Sequence, residues 1–144
     1  MPDIKTFVRE DVVSAAPETG IEELARLFAD ERVGSVVIVD GDDPVGIVTD
    51  RDIVVQAIAE GRDLESLTAA DVMSDDLVTV DADAGIFDVI RTMEEANVRR
   101  IPAVDGDGHL AGMVTFDDFV VLLGRELNLL GDAIEAEIPP YEHV

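Results

Sequence analysis

Two stretches of this chain share the pattern Gly-x-x-Thr-x-x-Asp: Gly46, Thr49 and Asp52 in one, and Gly112, Thr115 and Asp118 in the other. Each follows a short apolar run that reads as a strand, and each opens a run with helical spacing. A carboxylate in the first turn of such a helix can accept both hydroxyls of a ribose cis-diol. Free amide groups and the positive helix end beside it favour phosphate. Gly46 and Gly112 lack a β-carbon, which lets another backbone or a ligand come close. The same Thr-x-x-Asp spacing is also a capping box, in which Thr caps the helix and the acid reaches back to the cap amide. Both readings stand at this point. Substituting Asp118→Asn separates them, since one expects loss of ligand binding and the other only a slight loss of stability.

Catalysis finds little to work with. The chain has no Cys, which removes disulfides, thiolate zinc sites and a cysteine nucleophile. His109 falls in a turn and His143 in the tail, neither with an evident partner, and no phosphate-binding Walker loop or zinc spacing is present. We expect no catalytic residue, no cofactor and no metal centre. The acidic runs Asp40–Asp43, Asp75–Asp76 and Asp81–Asp83 lack the ligand spacing of a calcium loop and read as solvated surface.

Charge sets the partner classes. Against 33 Asp and Glu stand 10 Lys and Arg, Lys5 being the single lysine, for a formal net charge of −23. A field of that sign repels nucleic acid and anionic membranes. With 47% apolar residues in regular periodicity the chain reads as folded despite its charge. A carboxylate-rich folded surface suits a saline cytoplasm, where salt screens the self-repulsion, so a halophilic origin is expected. No charged-then-apolar leader and no apolar run of membrane-spanning length is seen, and a cytoplasmic location is expected.

The elements that must position these residues come as a duplication. Shifted by 65 residues, Val13–Asp42 overlies Val78–Asp107 without a gap; one inserted residue then moves the offset to 66, and Gly46, Val48, Thr49 and Asp52 meet Gly112, Val114, Thr115 and Asp118. Each copy starts with a short extended piece, Val12–Ser14 or Leu77–Val80. A helical stripe follows, of Ile21, Leu24, Ala25 and Phe28 or Ile86, Val89, Ile90 and Met93. Apolar strands at Val36–Val39 and Ile101–Val104 lead through Asp/Gly turns to returning strands at Val45–Val48 and Leu110–Val114. A second helix begins near Thr49 or Thr115. One copy of about 50 residues is marginal alone, whereas two can share a core.

A tandem β-α-β-β-α unit of this kind resembles the cystathionine-β-synthase (CBS) domain pair. The resemblance is carried by Val39-Asp40 before its turn, by Gly46–Asp52 and Gly112–Asp118, by Asp71-Val72-Met73 before the second copy and by Arg99–Asp105 within it. It implies an α+β fold, two repeats packed sheet to sheet about a pseudo-twofold axis with a C-terminal helical extension. The expected divisions are 1–62 for the first repeat, 63–76 for a connector, 77–123 for the second repeat and 124–144 for the extension. The resemblance further implies a regulatory, ligand-sensing module that binds an adenosine nucleotide or S-adenosylmethionine, with or without Mg²⁺, and signals in trans to an effector protein.

By the same resemblance Thr49, Asp52, Thr115 and Asp118 would hold ribose. Arg99, Arg100 and Arg51 would hold phosphate, and Ser14, Val36, Val37, Thr79, Ile101 and Pro102 would form the purine pocket. Because Arg99 and Arg100 align with Gly34 and Ser35, the second copy is expected to be the better-equipped half. The alternatives are surface ion pairs for the arginines and plain core for the apolar positions. For the whole chain they are an empty dimerisation scaffold and a divalent-cation sensor. Leu122, Leu123, Leu127, Leu130, Ile134 and Ile138 form a stripe along the extension, ended by Pro139-Pro140. It either packs on the chain's own core or joins the repeats in forming a homodimer.

Overall fold

The computed structural model describes residues 3–74 and 76–137. Ile138, Pro139, Pro140 and His143 therefore lie outside the described residues, as does Asp75.

Each copy folds into a three-stranded sheet. In the first, β1 (Ser14–Ala15) runs parallel to β2 (Ser35–Asp40), which pairs antiparallel with β3 (Asp43–Thr49). In the second, β4 (Val80–Asp81), β5 (Arg100–Val104) and β6 (Leu110–Thr115) repeat that order. Even the irregularities repeat: the register shifts between Ile38 and Val39 and again between Ala103 and Val104. Fully apolar β-branched runs form β2 because they are buried on both faces. Val36 and Ile38 face one hydrophobic cluster, while Val37, on the opposite face, is equally inaccessible.

Between the first two strands of each copy lies an 11-residue helix, α1 (Ile21–Glu31) or α4 (Ile86–Ala96). Ile21, Leu24 and Phe28, and likewise Ile86, Val89 and Met93, are the buried stripe. Ala25 turns outward and Ile90 is half-buried, so the inward stripe is narrower than the spacing suggested. Both helices end on a left-handed residue, Arg32 at φ 54° and Asn97 at φ 53°. Asn tolerates that conformation and Arg does so poorly.

The apolar residues gather into two clusters rather than one. The first joins α1, β2 and β3 to Ile53, Ala57, Leu67, Ala69 and Val72. The second joins α4, β5 and β6 to Phe119 and Ile4. Leu67, Ala69 and Val72 show that the polar connector is structured: it carries a short helix, α3 (Ala69–Val72), whose apolar side closes the first core.

The two copies exchange their leading segments. Residues 4–9 precede the first copy yet lie on the second, where Arg9 bridges Met113 at the β6 edge with backbone bonds of 3.0 Å each way. Residues 69–74, their equivalents by the 65-residue shift, lie on the first, and Ser74 bridges Ile47 at the β3 edge. Both exposed edges are thereby covered. A further tie joins the hairpins, Leu110 N–H donating to the Asp42 carbonyl at 2.9 Å.

The second helices differ most. In the first copy, α2 (Asp50–Asp52) runs into a π-helical stretch, Ile53–Ile58, and the chain turns away at Gly61, φ +64°. In the second copy α5 (Phe116–Glu137) continues for 22 residues without a break. Gly61 aligns with Leu127, so the left-handed glycine that stops one helix is absent from the other.

Candidate functional site

Both Thr-x-x-Asp motifs sit where the sequence placed them, at the passage from the last strand of a sheet into a helix. At the first, the Thr49 amide donates to Asp52 Oδ2 at 2.8 Å and the Asp52 amide donates to Thr49 Oγ1 at 3.0 Å, a complete capping box. At the second, the Thr115 amide and hydroxyl donate to Asp118 Oδ2 at 3.2 and 2.8 Å, and the Asp118 amide returns to Thr115 Oγ1 at 3.4 Å. One oxygen of each carboxylate is thus committed to capping. The other, Oδ1, is what a ribose diol could meet.

The two Oδ1 atoms have different neighbours. Asp52 Oδ1 accepts one bond, from the Gln56 amide at 3.3 Å. Asp118 Oδ1 accepts from the Arg9 guanidinium at 2.5 Å, the carboxylate being 14% exposed and the guanidinium 63%. Burial pushes the Asp118 carboxyl up; the bonds from Arg9 and Thr115 outweigh it and hold the group below the ordinary carboxylate value. Arg9 is raised in turn, chiefly by its bond to Asp118. Sequence reasoning missed this residue. The signal was there in the repeat, because the shift that aligns the copies sets Arg9 against Ser74.

The two glycines admit protein. A β-carbon at Gly112 would stand 2.3 Å from Val8 Cγ1 and 2.6 Å from the Arg9 carbonyl oxygen. One at Gly46 would stand 2.6 Å from Met73 Sδ and 2.8 Å from the Ser74 carbonyl oxygen. Each glycine faces the leading segment of the opposite copy, and the close approach is made by one side chain and one backbone carbonyl of that segment.

The arginines part company. Arg99 bonds Asp117 at 2.9 Å and lies 5.3 Å over the Phe116 ring, an exposed ion pair with a cation–π contact. Arg100 crosses to the first copy, its Nη1 3.6 Å from where a β-carbon of Gly34 would be. Gly34 is itself tied to the start of α2, since its carbonyl accepts from the Asp50 amide at 3.3 Å. Among the described residues, Arg100 and Arg51 have no carboxylate within 4.0 Å. Of the two arginines expected to equip the second copy, Arg100 thus lies against Gly34 of the first, and Arg99 stays on its own copy with Asp117.

Of the residues expected around a purine, Val36, Val37, Ile101 and Pro102 are buried, while Ser14 and Thr79 are exposed. Ser14 lines a shallow groove of about 440 Å³ with Ala15, Thr19 and Arg26, beside α1 and away from Thr49 and Asp52. His109, for which the sequence offered no partner, lies 3.8 Å from Asp43 and 4.0 Å from Asp105. Asp105, Asp107 and His109 bring their ligand atoms within 4.8 Å of one another at the tip of the second hairpin. No helix among the described residues is long and apolar enough to cross a membrane.

Comparison with known proteins agrees with this architecture. The CBS-domain profile matches residues 4–57 and 69–125. Hypoxic response protein 1 of Mycobacterium tuberculosis is 37% identical over 119 residues, 82% of each chain, and the CBS domain-containing protein YhcV of Bacillus subtilis is 31% identical over 84% of this chain and 85% of its own. A Methanopyrus kandleri protein, MK0525, is 35% identical over 113 residues; this chain spans 58% of it, and 22% of a similar inosine-5'-monophosphate dehydrogenase from Thermoplasma acidophilum. The crystal structure of hypoxic response protein 1 with two coordinated zinc ions superposes with a TM-score of 0.76 at 30% identity, covering 83% of this chain and 98% of that one. The CBS domain pair of protein MJ0100, in complex with 5-methylthioadenosine and S-adenosyl-L-methionine, also gives 0.76, at 25% identity over 88% and 98%. A duplicated sheet-and-helix unit, its exchanged leaders and a profile match to both halves make this chain a member of the CBS-domain family, built as a tandem pair.

Proposed function

We propose that the chain is a ligand-sensing regulatory module that binds an adenosine compound at the first copy's Thr-x-x-Asp motif and carries out no reaction of its own. The observation that carries this reading is Arg100. Its guanidinium, with no carboxylate within 4.0 Å among the described residues, lies over the β-carbon-free Gly34, beside the start of α2 where Thr49 and Asp52 sit. Ribose would bind Asp52 Oδ1, and Arg100 with Arg51 would meet the phosphates or another anionic group, for which a guanidinium fork is suited. Val36, Val37, Ile101 and Pro102 would bound the purine on its apolar side. Binding of adenosine compounds by the MJ0100 CBS pair supports the same ligand class.

Thermal shift with AMP, ADP, ATP, S-adenosylmethionine and Mg²⁺ in high salt tests the proposal, since a ligand raises apparent stability by RT ln(1 + [L]/Kd). An upward shift with at least one adenosine compound, lost in Asp52→Asn, is the expected result. No shift with any of them sinks the reading and leaves a scaffold. A shift with Mg²⁺ alone replaces it with a cation sensor.

The partner part of the proposal is a homodimer that signals to an effector in trans within the cytoplasm. Beyond Leu122, α5 leaves the body of the chain, and Val120, Leu123, Leu127, Leu130 and Ile134 are between 53% and 67% exposed. Of the stripe, Leu122 packs on the second core, whereas Leu123, Leu127, Leu130 and Ile134 lie exposed. Their spacing alternates three and four, the seam of a two-helix coiled coil. Val54, Val55 and Ile58 expose a second apolar patch on the repeat. A second copy offers both surfaces at once.

A further inference from the structure

The proposed function puts the ligand at the first copy's Thr-x-x-Asp motif, and the Arg9 contact sets the second motif apart. We infer that Arg9 is an internal latch on the second motif, a guanidinium that occupies the one Asp118 oxygen not used for capping and so weakens ribose binding in that half. This inference rests on the nucleotide reading and adds to it which site is open and which is held shut.

Asp118 Oδ2 is taken by the Thr115 amide and hydroxyl, and Oδ1 by Arg9. A diol must displace Arg9 or go without its carboxylate. Asp52 has the same capping bond on Oδ2, yet among the described residues its Oδ1 meets only a neutral amide at 3.3 Å. Ser74, which stands in the place of Arg9 by the repeat, holds the same backbone position at the β3 edge with no side chain long enough to reach across.

The backbone of residue 9 is fixed independently of its side chain, through both bonds to Met113. The guanidinium can therefore swing away without undoing the fold. Its own exposure gives it room to do so. Arg99, engaged with Asp117 and Phe116 on the same helix start, is no substitute counter-ion for a phosphate there unless it too lets go.

Titration calorimetry on the full chain in high salt, with AMP, ATP and S-adenosylmethionine run separately, tests the latch. The wild type should show one tighter and one weaker site per chain. Asp52→Asn removes the tighter site and Asp118→Asn the weaker. Arg9→Gln tightens the weaker site about fivefold, the factor carried by a part-exposed ion pair, and leaves the tighter one unchanged. Arg9→Lys, which keeps the charge, stays near wild type, and circular dichroism confirms that each variant folds. Two equal sites in the wild type, or an Arg9→Gln variant whose weaker site is unchanged or looser, overturns the latch while the nucleotide reading survives. Absence of binding in both wild type and Arg9→Gln for all three compounds removes that reading and the latch with it.

Discussion

The two copies of the repeat share a sheet order, a register shift, a helix stripe and a motif, and they differ at three points that matter. Arg9 stands where the other copy has Ser74. Arg100 projects from the second copy onto Gly34 of the first. Leu127 stands where the first copy has the helix-stopping Gly61. Duplication preserved what each half needs to fold. The departures lie at the copy boundary and the surface, where a change alters binding without emptying a core. Under the proposed function one half would be the open ligand site, and the other would supply the long helix and a latched carboxylate.

Breaking the helix difference should have the largest effect. Leu127→Asp with Leu130→Asp should turn a dimer into a monomer in sedimentation, because a charge at a seam position is buried without a partner. The wild-type dimer should strengthen with salt, which screens two chains of net −23 from each other. A monomeric wild type, or a dimer indifferent to both changes, puts the interface elsewhere.

Next comes the approach of leader to sheet. Gly112→Ala should destabilise the fold by about 1–3 kcal/mol in chemical denaturation, since the added carbon meets a branched side chain and a carbonyl that are both fixed. Gly46→Ala should cost less, because its nearest neighbour is the adaptable Met73 side chain. Equal losses would mean that the two leaders are held alike.

The helix ends should give a smaller difference. Arg32→Gly removes a left-handed arginine and should raise stability by about 1 kcal/mol, whereas Asn97→Gly, starting from a tolerant residue, should change it less. Thermal denaturation of the pair decides this.

The smallest effect belongs to the latch as a stability element. Asp118 lies below its ordinary value in the folded chain, so its contribution is present above the unfolded value and is lost as pH falls through the folded one. Arg9→Gln should lose stability at a higher pH than wild type during acid unfolding. The loss is on the order of 1 kcal/mol or less, as for a part-exposed ion pair. Coincident acid transitions would show that Arg9 contributes nothing to holding Asp118.

Sequence by itself determined the repeat and the strand and helix spacing within each copy, and it offered the Thr-x-x-Asp caps as one of two readings. These depend on contacts a few residues apart or on periodicities of two and 3.6, which a linear string displays directly. It also made Gly46 and Gly112 legible as points of close approach, but not what approaches them. Only the tertiary structure decided that the leaders are exchanged, because residues 4–9 and 69–74 find their partners across the copy boundary. The same holds for Arg9 on Asp118, separated by 109 residues, and for Arg100 over Gly34. Which of the two adjacent arginines reaches Gly34 depends on where the second copy sits against the first, and no local pattern encodes that choice.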